Sequence, residues 1–280
     1  MISVLILTRN EEQDLPGCLD AVSWSDDVHV FDSLSTDGTV EIARARGAKV
    51  TQRKFDTYAR QRNAALETLA FKHEWIFLPD ADERPTPALV EEMRRAVETA
   101  AETMAGFRVR RRDFLDGKWL KHAQMSPFYI RLARRGRARY TRDVNEILEV
   151  DGEVGELSQM LDHFPFSKGM EHWRAKHEVY STMEAELIAA GLGSRDASWK
   201  TALWGKDFHE RRRAQKAIFY RMPARPLVKW AYMMFARGAI LDGAAGLKYA
   251  NLQALYERMI VQKTRELRAG RGEAAGNPRT

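Results

Sequence analysis

The sequence predicts an α/β fold, a mostly parallel sheet with helices on both faces, followed by a helical C-terminal subdomain. Two observations predict it. Over residues 1–100, short apolar, β-branched runs alternate with stretches of helical spacing, the rhythm of βαβ units whose sheet is covered on both faces. From about residue 168 the spacing is helical almost throughout. A chain of 280 residues, 44% hydrophobic and 30% charged, can bury one large core and carry an appended subdomain, and it is not a disordered polymer.

SVLILT (3–8) reads as the first strand, and EEQDLPGCLDAV (11–22) after it has helical spacing. DVHVFDS (27–33) is a second strand, and TVEIARARG (39–47) is a helix stopped by Gly47. AKVTQRKF (48–55) is extended, YARQRNAALETLA (58–70) is helical and EWIFL (74–78) is the next strand. TPALVEEMRRAVETA (86–100) opens with the Thr-Pro pair expected at a helix start. Past residue 105 the rhythm changes to longer strands with basic faces, GFRVRRRDFLDGKWL and FYIRLARRGRARYT, followed by EILEVDGEVG as an extended segment and turn. Three helical stretches then follow: 168–190, 199–221 and about 226–268, with a polar tail, GRGEAAGNPRT, expected to fray.

The lone Cys18 excludes an internal disulfide framework and reads as a small apolar helix residue in a reducing compartment. Met1 leads straight into SVLILT without a basic region or cleavage site, so a cytoplasmic chain is expected. Charge is divided unevenly. Residues 1–100 hold 12 Lys+Arg against 18 Asp+Glu, and the other 180 hold 33 against 21, so the two halves should face different partners. The most apolar part of the back half, RPLVKWAYMMFARGAILDG (225–243), is interrupted by Lys229 and Arg237 and is too short between charges to span a bilayer. It reads as a buried helix of the C-terminal subdomain or as one lying in a membrane interface.

Ligands of open parallel sheets bind beyond the carboxyl ends of the strands, and the strand ends here are rich in polar groups. The first ends in Thr8-Arg9-Asn10-Glu11-Glu12 and the second in Asp32-Ser33-Leu34-Ser35-Thr36-Asp37-Gly38-Thr39. The fourth ends in Asp80-Ala81-Asp82-Glu83, three carboxylates in four positions, which repel one another unless a turn solvates them or a cation joins them. Strand alternation puts Asp80 and Asp82 on one side, where both can face one ion.

Taken in order, TRNEE (8–12), FDSLSTDGT (31–39), RQRNAAL (60–66) and LPDADE (78–83) resemble the nucleotide-sugar domain of family 2 glycosyltransferases, which have the GT-A fold. Within that family the chain is most similar to the bacterial branch that glycosylates lipopolysaccharide core and related surface glycans. The resemblance covers residues 1 to about 165 well, implying a catalytic domain over 1–165, and the helical part weakly; the helical pattern gives an acceptor- or membrane-side subdomain over 166–268 and the polar composition a flexible tail over 269–280. It implies Mg²⁺ or Mn²⁺ held by Asp82, with His163 of LDHFPF completing the shell or touching the diphosphate, or else standing as a structural histidine. Asp80 then lies nearer the ribose, and Asp32 sits where the family recognises the base, with Ser33 in place of the family's frequent second acid. Thr8, Asn10 and Glu11 line base and ribose. Arg62 orients acidic groups or phosphate, and Arg131 or the Arg134–Arg135 pair meets a phosphate or else lies on a solvated strand edge. Glu146 in DVNEILEV is the expected base, with Asn145 where the family has histidine and Asp143 as its rival.

The activity so implied is an inverting, metal-dependent transfer of a hexose from a UDP-sugar to a hydroxyl of a lipopolysaccharide-core or lipid-linked glycan. A peripheral contact with anionic membrane is expected through the basic back half, including ERRRAQK (210–216), at the inner face of the cytoplasmic membrane. A nucleotidyltransferase should carry a Gly-rich basic loop after its first strand, and TRNEEQDL has no glycine until Gly17. A nucleic-acid-binding protein would leave the acidic strand ends without a purpose, so no nucleic-acid partner is expected. A glycosyltransferase-like scaffold that binds nucleotide without turnover is the remaining alternative, prompted by Ser33 and Asn145.

Overall fold

The computed structural model describes residues 1–142, 146–191, 198–205 and 207–275. Asp143 and Asn145 lie outside them. The described residues form two compact units, residues 1–119 with 125–168, and residues 120–124 with those from 169 onward.

In the first unit the main sheet runs β3 (Lys49–Gln52), β2 (Val28–Asp32), β1 (Ile2–Thr8), β4 (Trp75–Phe77), β8 (Phe128–Arg134), β6 (Met104–Leu115), β11 (Glu153–His163), β5 (Glu83–Pro85), with β7 (Lys118–Trp119) paired to β6. β1 to β4 are mutually parallel. Beyond them the sheet is mixed: β8 is antiparallel to both β4 and β6, β11 is parallel to β6, and β5 is antiparallel to β11. β9 (Ala138–Thr141) and β10 (Ile147–Val150) form a separate hairpin.

β1 shows why helices cover both faces. Its side chains alternate, and both sets are apolar. Ile2, Val4 and Ile6 pack with Leu15, Cys18 and Leu19 of α1 (Leu15–Ala21) and Leu89, Val90 and Met93 of α4 (Pro87–Glu98). Leu5 turns to the other face with Phe31, Ile76 and Ala65 of α3 (Tyr58–Thr68). α2 (Thr39–Ala45) precedes β3, and Gly47 after it has φ +76°, the left-handed geometry that ends a helix at low cost for glycine. Thr86 caps α4 by accepting from Leu89 N at 3.2 Å, with Pro87 in the first turn. α1 is shorter than the spacing of 11–22 suggests, because Asn10 to Asp14 make loop contacts instead and the helix opens at Leu15-Pro16.

The second unit is helical. α5 (Gly169–Ala189) packs on α9 (Gly243–Ala275), α8 (Arg225–Ala231) also packs on α9, and α6 (Trp199–Trp204) packs on α7 (Phe208–Arg221). The stretch 199–221 is two helices, separated at Gly205 and restarted by Asp207, whose Oδ1 accepts from Glu210 N at 2.7 Å. The stretch 225–243 is not one helix. α8 passes into a single π-turn (Tyr232–Ala236), breaks at Gly238 (φ +74°), and resumes as a 3₁₀ turn (Ala239–Asp242) that ends at Gly243 (φ +64°). The following helix continues through 269–275, part of the segment the sequence suggested would fray. Among the described residues no helix is long and apolar enough to cross a membrane.

Candidate active site

Parallel packing brings the ends of β1, β2 and β4 to one edge of the sheet, and the loops there are laced together. Ser35 Oγ accepts from Asn10 N at 2.8 Å, Thr39 Oγ1 from Glu11 N at 2.8 Å and Asp37 Oδ2 from Glu12 N at 3.2 Å. In the reverse direction, Thr36 N donates to Asn10 Oδ1 at 2.9 Å and Gly38 N to Glu12 Oε2 at 2.9 Å. Asn10 and Leu34 both adopt positive φ to make these turns, and for a leucine that geometry is costly.

Asp32 is fully buried beneath this lacing. It accepts from Thr8 Oγ1 (2.8 Å), Ser35 Oγ (2.5 Å), Ser35 N (2.9 Å) and Gln52 Nε2 (2.9 Å). Burial alone would raise its carboxyl, and these donors outweigh it, holding the group below its ordinary range. Asp32 therefore anchors the loop with no oxygen left facing solvent, and Thr8, also buried, gives its hydroxyl to Asp32 instead of to a ligand. Asn10 is exposed, and Glu11 lies beside Lys168, whose Nζ donates to it at 2.7 Å.

The three acids after β4 separate into different roles. β4 ends at Phe77, so strand alternation does not carry through to Asp80 and Asp82, and the two carboxylates take different partners. Asp80 is gripped by Arg62 Nη2 at 2.8 Å and by Arg131 Nη2. Glu83 is fully buried: Oε1 accepts from Arg131 at 2.6 Å and Arg111 at 3.3 Å, and Oε2 accepts from Asp80 N at 3.0 Å. Burial works against the charge on Asp80, yet Arg131 and Arg62 hold it well below the usual carboxylate range. Glu83 is pushed upward by burial, with the charge of Asp80 adding to it. Arg131 is 7% exposed on a strand that lies between β4 and β6, so it is an internal counter-ion and not part of a solvated edge. Arg134 and Arg135 tie down Glu74 and backbone carbonyls and lie outside the cluster.

Asp82 keeps 29% of its side chain open, and its Oδ2 lies 3.3 Å from His163 Nε2. His163 occupies the same register row as Asp113 of β6 and Glu83 of β5, and its Nδ1 bonds Asp113. Burial opposes the imidazolium, but the bonds to Asp113 and Asp82 win and lift the imidazole to about 9. Asp113 is a site residue the motifs did not signal. Its clue is an acid at an inward position of a strand that buries Val109 and Leu115 at the same alternation.

Arg62 links the cluster to the expected base, because its Nε is 3.4 Å from Glu146 Oε1. Its neighbours in RQRN reach elsewhere, as consecutive helix residues must. Gln61, buried, donates to Ser33 Oγ at 3.0 Å, and Asn63 exchanges two 2.8 Å bonds with the backbone of Tyr140. The described residues thus bring Glu11, Arg62, Asp80, Asp82, Arg131, Glu146 and His163 into one connected region and leave Asp32 and Thr8 beneath its rim. A cavity of about 350 Å³ lined by Asp26, Val28 and Lys49 lies at the opposite end of these strands, away from the cluster.

The family model of glycosyl transferase family 2 matches residues 3–149, more than half of the chain and a span that includes all four motifs. The chain belongs to this family. It is a glycosyltransferase. It is 27% identical over 273 residues to the lipopolysaccharide core biosynthesis glycosyltransferase LpsC of Rhizobium meliloti strain 1021, covering 94% of this chain and 91% of that one. An uncharacterized glycosyltransferase of Rickettsia bellii is 40% identical over 93 residues, 33% of this chain and 31% of its own. Among solved structures, glucosyl-3-phosphoglycerate synthase from Mycobacterium tuberculosis, determined with Mn²⁺, UDP and glucosyl-3-phosphoglycerate, is 24% identical with a TM-score of 0.35, covering 40% of this chain and 44% of that one.

Among the described residues no group of three or more His, Cys, Asp or Glu side chains is placed to hold a metal. Asp82 and His163 are nevertheless a fitting pair, a carboxylate oxygen and an imidazole nitrogen converging beside solvent. Divalent ions in phosphate-binding sites commonly take one or two protein ligands and complete the shell with phosphate oxygens and water.

Two outcomes follow from these electrostatics. Removing the shared counter-ion with Arg131→Met strands Asp80 and Glu83, and the first unit should lose about 3–5 kcal/mol in urea unfolding. A loss below about 1 kcal/mol would show that the pair does not depend on Arg131. Burial, with Asp82 and Asp14 adding to it against Lys168, raises Glu11 to about 7 from an ordinary 4.5. Between those values the folded chain holds a proton that the unfolded chain has released, so stability falls as pH rises through the window. Glu11→Gln should remove that slope, making the variant more stable than wild type at pH 8 by about 2–3 kcal/mol relative to their difference at pH 5. Parallel stability curves for the two proteins would contradict it.

Proposed function

We propose that the protein is an inverting, metal-dependent transferase that moves a hexose from a UDP-sugar to a hydroxyl of a lipopolysaccharide-core or lipid-linked glycan. The observation that best supports it is the division of labour among the three acids. Asp80, whose side chain is as open as that of Asp82, is bonded by Arg62 and Arg131, and Glu83 is buried against Arg131 and Arg111, while Asp82 faces His163. That arrangement prepares one cation position at the sheet edge. The end-to-end similarity to LpsC supports the acceptor class.

In this reading Asp82 and His163 would hold Mg²⁺ or Mn²⁺, which would supply positive charge against the diphosphate of the UDP leaving group. His163 must give up its proton to bind, so metal affinity should weaken as pH falls below its high pKa. Asp113 fixes the imidazole so that Nε2 faces Asp82. Glu146 takes the acceptor hydroxyl proton as the oxygen attacks the anomeric carbon and the bond to the UDP oxygen breaks. Arg62, bonded to Asp80 and close to Glu146, sets the distance between the donor side and the base. Asp32 contributes to uracil recognition through the loop it anchors, and Asn10, Glu11 and the loop's own backbone meet the nucleoside.

Calorimetry with UDP, with and without Mn²⁺, tests the reading. Binding should require the metal and be lost in Asp82→Ala, while Glu146→Gln should keep UDP affinity and lower kcat at least about 100-fold. Metal-independent UDP binding that survives Asp82→Ala would remove the metal assignment. Full turnover by Glu146→Gln would remove the base.

A further inference from the structure

The second unit carries a surface that the transfer reaction does not use. At the corner formed by α8, the π-turn and the 3₁₀ turn, Met233, Met234, Ala239 and Asp242 point inward and are buried. Leu227, Tyr232, Phe235, Ile240 and Leu241 point outward, and all five are between 49% and 69% exposed. Single exposed apolar residues are ordinary, whereas five between Leu227 and Leu241 invite a partner or a solvent other than water.

The corner is rigid. Asp242 is 2% exposed and accepts from His122 N (3.0 Å), His122 Nδ1 (2.8 Å) and Ala123 N (2.8 Å), tying the turn to residues 120–124 of the same unit. At Gly246 a Cβ would lie 1.9 Å from the carbonyl oxygen of Ala239, so the 3₁₀ turn sits directly on the backbone of α9. The apolar side chains are therefore held outward by the fold and lose little freedom on docking.

Charge selects the occupant. Residues 199–248 contain 11 Lys+Arg against 3 Asp+Glu, although Arg225 is buried against Glu257 and Lys216 pairs with Glu184. Of those acids, Asp242 is consumed within the corner and Asp207 caps α7. A second copy of the chain would set one strongly basic surface against another. Nucleic acid would use the basic residues but leave the aliphatic tips of Leu227, Ile240 and Leu241 without a role. Since no described helix can span a bilayer, the remaining fit is a surface that lies on one.

We propose that the corner at 225–243 is a bilayer-docking surface, seating Phe235, Ile240 and Leu241 among the acyl-chain boundary of an anionic phospholipid membrane while Lys and Arg of the same 199–248 stretch meet its headgroups. The inference does not depend on the catalytic assignment. It explains how a chain of this kind reaches a lipid-linked hydroxyl without an anchor of its own among the described residues.

Co-sedimentation of the full chain with vesicles tests it, comparing phosphatidylglycerol mixed with phosphatidylethanolamine against phosphatidylcholine alone. Wild type should bind the anionic vesicles at least about tenfold more tightly. The triple variant Phe235→Ser/Ile240→Ser/Leu241→Ser should lose about tenfold of that binding with its Tm and UDP affinity unchanged. Equal binding to both vesicle types, or undiminished binding by the triple variant, would overturn the proposal. So would a wild-type dimer in sedimentation velocity that the variant abolishes, or binding to single-stranded RNA in place of vesicles.

Discussion

The first unit is organised around one buried ion network, in which Arg131 holds Asp80 and Glu83 together at the end of β4. Burial acts against the charge on both acids, and Arg131 is the counter-ion they share. Arg62 joins the network from α3 and Arg111 from β6, so with β8 three elements converge on one turn. Glu83 also accepts the backbone N–H of Asp80, which fixes the path of the chain between them. The direction of Asp82 is a consequence of that fixed path. With Asp80 bonded by two arginines and Glu83 buried, Asp82 is the carboxylate of the three that faces His163.

The same logic runs through the supporting residues. RQRN on α3 sends three consecutive side chains to three places: Gln61 to the β2 loop, Arg62 to Asp80 and Glu146, Asn63 to the backbone of β9. One helix thereby sets the spacing between the β2 loop, the acidic turn after β4 and Glu146. Asp113 performs the corresponding task for His163, fixing which ring nitrogen faces outward.

Much of this was legible in the sequence because period is a strong signal. The alternation of strands and helices over residues 1–100 predicts the parallel strands β1 to β4, and polar strand ends point to the working edge of the sheet. The four motifs identify the family for the same reason. β5 was not legible, since a three-residue strand ending in Pro85 carries no period. Nor was the direction of Asp80, because alternation stops with β4 and the acid's partners, Arg62 and Arg131, are 18 and 51 residues away. Asp32 illustrates the limit of motif reading: its position matches a ligand contact, while its surroundings make it a loop anchor. In the second unit, apolar content at 225–243 suggested a continuous helix, but Gly238 and Gly243 adopt left-handed geometry that composition does not announce.

The division of charge between the halves fits this architecture. The acidic front gathers carboxylates at a sheet edge where arginines and a cation can balance them. Within the basic back half, residues 225–243 of the second unit carry an exposed apolar corner. The claim on which the account rests is that Asp82, and neither Asp80 nor Glu83, is the carboxylate offered to a cation. Crystals grown with UDP and Mn²⁺, with an anomalous difference map at the manganese edge, test it directly. The account predicts a peak about 2–2.5 Å from Asp82 and His163, with Arg131 still bonded to Asp80 and Glu83. A manganese ion bound by Asp80 or Glu83, with the arginines displaced, would contradict it.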